Sequence, residues 1–323
     1  MKAVVIDAPG GPEVLRLVTR PVPAARPGWV RIRVRAFGLN RSELFTRQGH
    51  SPSVSFPRIL GIEAVGEVVD APDGAFTPGQ TVATAMGGMG RAFDGGYAEY
   101  TCVPVGQVQA VETRLSWEAL AALPEMLQTA WGSLHTALQL AAGQTLLIRG
   151  GTTSVGLAAA ALARAHGATV LATTRRPERA DGLRAQGADR VFIDDGAIAE
   201  AVLDAYPHGV DRVLELVGTA TLLDSLQTAA HHGIVCMTGI VGNRWDLERF
   251  VPMEMIPSAV YLTSYGGDVD DFMRTPLNDL IARIEQGTLS IRTGPVFDLD
   301  AIVEAHRTME ANRAGGKIVV RVP

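Results

Sequence analysis

Thr145-Leu-Leu-Ile-Arg-Gly-Gly-Thr-Thr-Ser-Val-Gly156, followed by an alanine-rich stretch and then by Thr169-Val-Leu-Ala-Thr-Thr-Arg-Arg176, decides how this chain folds. Leu146–Ile148 is a short apolar run suited to a buried parallel strand. Gly150, Gly151 and Gly156 allow a tight turn into a helix over Leu157–His166, closed by Gly167. A helix that begins where a diphosphate would lie offers that anion free N–H groups and the positive end of its dipole. Thr152, Thr153 and Ser154 add hydroxyl donors, and Gly151, Val155 and Gly156 complete the candidate loop. The middle glycine of a G-x-G-x-x-G pattern is missing, with Thr153 in its place, so the spacing by itself also fits an ordinary strand-to-helix turn.

The end of the second strand, Thr169–Thr173, carries the sharper signal. A dinucleotide fold selective for NAD places Asp or Glu near this point to bind the ribose 2′-hydroxyl. Here the chain reads Thr173-Thr174-Arg175-Arg176. A carboxylate would repel a 2′-phosphate, whereas two guanidinium groups chelate it through charge-assisted hydrogen bonds. The stretch therefore predicts NADP(H), held by Thr174, Arg175 and Arg176. A solvated surface pair is the alternative for the two arginines, but strand, glycine loop, helix, second strand and basic end occur in the order a nucleotide site requires.

At 323 residues, with 47% hydrophobic and 20% charged residues, the chain is long enough to bury two cores. Met1-Lys-Ala-Val-Val-Ile6 starts directly in strand-like sequence, and no apolar run approaches the ~20 residues of a membrane span, so a cytoplasmic protein without a membrane partner is expected. A net charge of −5 gives no general attraction to nucleic acid. Cys102 and Cys236 lie far apart in apolar, strand-like segments and read as buried thiols rather than a disulfide or metal ligands.

The texture changes near Leu115. Before it, Ala3–Asp7, Trp29–Phe37, Ala64–Val69, Thr81–Ala85 and Tyr97–Val103 read as strands, with a short helix at Arg41–Arg47. Residues 1–115 are thus expected to form a β-rich, barrel-like domain. Ser116 is a plausible N-cap for a helix starting at Trp117, and beyond it strands and helices alternate. The strands are expected at Thr145–Arg149, Thr169–Thr173, Arg190–Ile193, Arg212–Glu215, Ile234–Thr238 and Ala259–Ser264. They suit an α/β, doubly wound six-stranded parallel sheet over residues 116–265, with its ligand crevice beyond the carboxyl ends of the strands. His231-His232-Gly233 is expected at a helix C-terminus. Helices over Pro276–Gln286 and Asp300–Asn312 and a last strand, Lys317–Val322, fall outside the nucleotide domain.

Further stretches carry a family resemblance: Gly38-Leu-Asn-Arg-Ser-Glu-Leu44, Pro57-Arg-Ile-Leu-Gly-Ile-Glu-Ala-Val-Gly66, Pro78-Gly-Gln-Thr-Val82, Gly95-Gly-Tyr-Ala-Glu-Tyr100, Val210-Asp-Arg-Val-Leu-Glu-Leu-Val-Gly218, and Ala305-His-Arg307 with Gly316-Lys317. In this order and spacing the chain resembles, over nearly its whole length, the medium-chain dehydrogenase/reductase superfamily, and within it the zinc-free, zeta-crystallin-like quinone oxidoreductases. The resemblance implies a GroES-like catalytic domain, completed by residues 266–323, beside a Rossmann NADP-binding domain. The zinc alcohol dehydrogenases of the superfamily have Cys where this chain has Asn40 and His where it has Ile62, and Gly87–Asp94 lacks the cysteines of their structural-zinc lobe. No metal site is expected, since Zn²⁺ needs about four N, S or O ligands in tetrahedral array.

The resemblance further implies direct hydride transfer from C4 of NADPH, in a cleft between the domains, to a quinone or similar electron-poor carbonyl. It places Asn40 beside the nicotinamide ribose and substrate and Thr129 near the nicotinamide; Val217, Gly239, Ile240 and Val241 would hold the cofactor from loops, with Arg313 and Lys317 reaching it from the C-terminal segment. Asn40 also reads as a turn residue, and Arg313 and Lys317 as surface charges. Tyr97 is the proton donor suggested by motif, with a packing aromatic as its alternative. Arg41, Glu43 and His50 read either as groups that orient substrate or as an internal ion pair and a solvated loop, and the substrate pocket is expected among His50–Pro57, Met86–Phe93 and Asn243–Pro252. Two other functions share these residues: reduction of α,β-unsaturated carbonyls (enals, enones or enoyl thioesters), and non-catalytic NADPH sensing or scaffolding. A homodimer paired through the edge strand Ala259–Ser264 is expected from the family and from that strand's apolar character.

Overall fold

The computed structural model describes residues 1–51 and 53–323. Internal contacts divide the chain into two compact units: Met1–Gln128 with Gly267–Gln286 and Thr293–Pro323, and Thr129–Gly266 with Gly287–Arg292. The first division falls later than the change of texture near Leu115. The reason is packing: the helix Trp117–Ala121 lays its buried Leu120 and Ala121 on the strands Trp29–Gly38 and Glu63–Asp70, so it belongs to the strand-rich unit although its sequence is helical.

In the second unit, β1 (Thr145–Arg149), β2 (Thr169–Thr174), β3 (Arg190–Ile193), β4 (Val210–Glu215), β5 (Ala229–Met237) and β6 (Tyr261–Ser264) form one sheet. The order is β3-β2-β1-β4-β5-β6, and every neighbouring pair is parallel. Leu147, Leu171, Val213 and Val235 are buried in its core. This is the doubly wound Rossmann arrangement. The order reverses between β1 and β4, and sheets of this kind take ligands beyond the carboxyl ends at such a point.

The helix after β1 runs Ser154–Ala165, three residues earlier at its start than the expected Leu157. Thr153 explains the difference: its hydroxyl accepts the Gly156 N–H at 3.0 Å and donates to the Gly150 carbonyl at 2.9 Å, so it caps the helix. Gly167, at φ 90°, ends it in the left-handed region that favours glycine. His231 and His232 are a correction. The helix Leu222–Gln227 closes at Thr228, whose hydroxyl donates to the Ser225 carbonyl at 2.7 Å, and both histidines lie exposed within β5.

In the strand-rich unit, Trp29–Gly38 is the central strand. It pairs with Glu63–Asp70 along one side, and with Tyr100–Pro104 and then Lys317–Arg321 along the other, all antiparallel. Alternate residues Val30, Ile32, Val34 and Ala36 are fully buried, the period expected of a strand with one face on the core. The C-terminal strand thereby sets Val319 opposite Gly38 and brings Lys317 next to the residues that follow the central strand.

A β-carbon added at Gly156 would lie 2.7 Å from the Gly150 carbonyl oxygen and 2.9 Å from Gly151 Cα, both backbone atoms that cannot swing aside. Gly156→Ala is expected to destabilise the protein by about 1–3 kcal/mol in urea unfolding. An unchanged midpoint would show that the helix does not need this close approach.

Candidate functional site

The first part of the site is the carboxyl edge of the Rossmann sheet. Gly151 donates to the Thr173 carbonyl at 3.1 Å, which ties the loop after β1 to the end of β2. The N–H groups of Thr152, Ser154 and Val155 have no partner among the described residues, which leaves the helix start open to an anion. Thr174 accepts the Arg176 N–H at 3.1 Å and turns the chain, so that Arg175 and Arg176 stand exposed beyond the strand, without an ion pair among the described residues.

The carboxylate nearest to them along the neighbouring strand, Asp194, is already neutralised. Arg149 grips it through two bonds of 2.9 Å and also pairs with Asp224. Burial opposes both charges, yet the pairing holds the Asp194 carboxyl below and the Arg149 guanidinium above their ordinary ranges. Sequence reasoning missed this pair, because nothing in the spacing links positions 149, 194 and 224.

Beyond β4, buried Glu215 accepts the N–H groups of Val217 at 2.7 Å and Gly218 at 2.9 Å and the hydroxyl of Thr221 at 3.0 Å, fixing that loop. The segment after β5 folds onto it: Gly239 donates to the Glu215 carbonyl, Val241 to Leu216 and Gly242 to Val217, with Ile240 between them. Ser133 donates to the Thr129 carbonyl at 2.7 Å and shares a 2.9 Å bond with Thr238, which draws Thr129 to the same edge. Residues 151–156, 174–176, 217, 239–241 and Thr129 thus gather at one end of one sheet.

The strand-rich unit, taken by itself, holds a buried polar network. The Lys317 ammonium lies 2.8 Å from Glu63 and 3.1 Å from Glu125, and donates to Asn40 Oδ1. Both Asn40 amide hydrogens are spent as well, on Glu63 at 2.9 Å and Glu43 at 3.3 Å. Glu43 also accepts the N–H groups of Asn40 at 3.0 Å and Ile62 at 2.9 Å. Burial pushes the Glu43 carboxyl up to about 7; the Ile62 N–H opposes the rise and the adjacent Glu63 adds to it. Burial disfavours the Lys317 charge, but Glu63 and Glu125 hold its ammonium above the ordinary lysine range.

Several expectations change here. Lys317 is neither a surface charge nor a free cation: it is 1% exposed, and its ammonium is committed inside the network. Asn40 keeps only unused acceptor capacity on Oδ1. Arg313 is exposed, 3.8 Å from Glu304. Tyr97 is withdrawn from proton donation. It is fully buried, stacked 4.5 Å from Phe37, with its hydroxyl 3.1 Å from His306 Nε2, and burial lifts the phenol well above its usual range. Burial, aided by Arg47, pushes His306 down to about 3, so its ring is neutral. Cys236 is buried as expected, whereas Cys102 is half-buried. Of the three pocket loops, Met86–Phe93 borders a cavity of about 360 Å³ with Ile62, Met86, Met89 and Arg91 on its wall; Pro52, inside the His50–Pro57 loop, lies outside the described residues.

Comparison with known proteins bears on this geometry. Residues 26–113 match the alcohol dehydrogenase GroES-like domain, and residues 186–320 the zinc-binding dehydrogenase family. The chain is 29% identical to human quinone oxidoreductase over 327 residues, 99% of this chain and 97% of that protein. It is 31% identical over 328 residues to polyketide synthase GfsB of Streptomyces halstedii, covering 98% of this chain but spanning only 6% of that protein. The mycobacterial protein Rv1454c, solved in complex with NADPH, superposes with a TM-score of 0.88 at 26% identity over 99% of both chains. The chain belongs to the medium-chain dehydrogenase/reductase superfamily of oxidoreductases, and within it to the quinone oxidoreductase branch.

The network makes a paired prediction. The folded protein retains the Glu43 proton up to about pH 7, whereas the unfolded chain releases it near 4.5. The native state therefore binds more protons between those values, and stability falls as pH rises through that window. Glu43→Gln is expected to flatten this slope in urea titrations from pH 4.5 to 8. Lys317→Met leaves Glu63 without its cation and is expected to cost about 3–5 kcal/mol, more at pH 8 than at pH 5. A pH-independent loss in Lys317→Met would rule out the electrostatic account.

Proposed function

We propose that this chain is a zinc-independent oxidoreductase that binds NADPH and transfers hydride to a quinone or similar activated carbonyl. The observation that carries the reading is the end of β2, where Arg175 and Arg176 stand exposed and unpaired beside a helix start with free N–H groups. Gly151, Thr152, Thr153, Ser154, Val155 and Gly156 would hold the diphosphate. Thr174, Arg175 and Arg176 would hold the 2′-phosphate, and Thr129, Val217, Gly239, Ile240 and Val241 the nicotinamide half. When bound, the cofactor supplies the hydride from C4 of its nicotinamide.

The chain's own part is positioning and charge. The cavity of about 360 Å³ has Ile62, Met86 and Met89 on one part of its wall, against which a flat acceptor would lie, and Asp268 and Asp270 on another. Arg91 on the same wall would offer a cation to the oxyanion that forms, set against the carboxylates of Asp268 and Asp270. Tyr97 takes no part, so the product finds its proton in solvent; a reduced quinone is a weak enough base for that to suffice. Zinc independence rests on the donor set. Asn40 and Glu63 are bonded to the Lys317 ammonium, and Ile62 offers only its backbone N–H, to Glu43.

Reduction of enones, enals or enoyl thioesters is the second reading, supported by the match of 98% of the chain to a segment of polyketide synthase GfsB. A homodimer paired through β6 is part of the proposal: β6 ends the sheet, and Tyr261 on it is 55% exposed. Light scattering that shows only monomer would remove that part.

Replacing both Arg175 and Arg176 with Ala is expected to raise the KM for NADPH by about ten- to a hundredfold and to change that for NADH little. Equal effects on the two cofactors would overturn the 2′-phosphate assignment. Chelator-treated protein is expected to consume NADPH faster with 1,4-benzoquinone than with 2-cyclohexen-1-one. The reverse preference would select the second reading, and NADPH binding without turnover across both acceptor classes would point to a sensor or scaffold.

A further inference from the structure

A second cavity, of about 490 Å³, opens in the strand-rich unit and shares no wall residue with the Asn40 network or the cavity beside Met86. Its size lies in the range of small-molecule sites, roughly 300–1,000 Å³. Arg20, Arg26 and Arg58 line it, against a single carboxylate, Asp94. Asp94 is engaged at 2.9 Å by Arg58 and at 3.1 Å by the Ile59 N–H, so Arg20 and Arg26 keep their charge unopposed at the wall.

The same wall is aromatic. Trp29 and Phe93 meet edge to face at 5.1 Å, and the Arg26 guanidinium lies 4.0 Å from the Trp29 ring centroid. That stack offers a flat ligand a π-face with a cation already seated on it. Two polar atoms of lining residues, Thr101 Oγ1 and Arg58 Nε, are buried without a hydrogen-bond partner among the described residues, although Thr101 is only 2% exposed. Both atoms are themselves enclosed, so the accessible cations of the wall are Arg20 and Arg26. Pro21, Pro23 and Pro27 stiffen the segment that carries Arg20 and Arg26, which lowers the entropy lost on binding.

We propose that this cavity binds a planar aromatic small molecule carrying an anionic group, such as an aryl carboxylate or sulfonate, at a site separate from the proposed reaction. The ring system packs against Trp29 and Phe93, and the anion meets Arg20 and Arg26. The assignment does not depend on the proposed function.

The probe is 1-anilinonaphthalene-8-sulfonate, titrated by fluorescence into the full chain, with uncharged N-phenyl-1-naphthylamine as its comparison. Saturable binding of one probe per chain is expected, weakened about tenfold or more in Arg20→Glu/Arg26→Glu and for the uncharged dye, and unchanged in Arg175→Ala/Arg176→Ala. Both reversed residues are exposed, and a thermal melt checks that the variant folds. Cys102 borders the cavity while Cys236 is buried, so the probe is also expected to slow N-ethylmaleimide labelling of Cys102 in the unaltered protein. Absence of saturable binding, binding indifferent to the Arg20 and Arg26 reversals or lost with Arg175 and Arg176, or unprotected Cys102 would each overturn the site.

Discussion

A lysine ammonium enclosed by an amide and two carboxylates is the contact on which the strand-rich unit depends. Burying an ion costs several kcal/mol and is repaid only if every hydrogen-bonding capacity is filled. Lys317 meets that condition with Asn40, Glu63 and Glu125, residues from four separate stretches of the chain. The ammonium thereby fixes where the last strand begins against Gly38, and how the helix Arg41–Arg47 leaves the central strand. The state of Glu43 follows from the same enclosure. Burial is the main cause that makes Glu43 keep its proton to about pH 7; the charge of Glu63 adds to it, and Lys317, already facing Glu63 and Glu125, only partly offsets it.

The Rossmann sheet solves a related problem by another arrangement. The carboxyl ends of its strands carry acids, Asp194 after β3 and Glu215 at the end of β4, that would disfavour an anionic ligand if left charged and free. Arg149 neutralises Asp194, and Glu215 is enclosed by backbone N–H groups and hydroxyls of its own loop. The edge is thereby left with its positive features outward: free N–H groups at the helix start and two unpaired arginines. Under the proposed function, selectivity for a 2′-phosphate comes as much from this concealment of acids as from Arg175 and Arg176 themselves.

Local patterns explain what was legible in the sequence. The apolar centres of the Rossmann strands, such as Leu146–Ile148, are set between turn residues, and β1 and β3 fall on the expected residues. The helix after β1 starts at Ser154, before the expected Leu157, because Thr153, in the place of a motif glycine, acts as its N-cap. Pairings across long separations were not legible. Lys317 and Asn40 are 277 positions apart, and Tyr97 and His306 are 209 apart. Neither periodicity nor motif says that such groups meet, so the sequence leaves Lys317 open between a cofactor contact and a surface charge, and Tyr97 between a donor and a packing aromatic. Strand signals before Leu115 predict the strand-rich unit, but its completion through Lys317–Arg321 leaves no local trace and follows only from the family resemblance.

The chemistry left open by these placements is narrow. A metal in this network would withdraw electrons from an acceptor carbonyl, but an ammonium whose hydrogens are all committed to Asn40, Glu63 and Glu125 cannot bond to a substrate. Tyr97, the acid suggested by motif, is closed off behind Phe37 and His306. Under the proposed function, neither strong polarisation nor a dedicated proton comes from these residues. The acceptor must already be electron-poor, and its reduced form must be a weak base. Quinones meet both conditions, whereas simple ketones, whose alkoxides demand a proton as they form, meet neither.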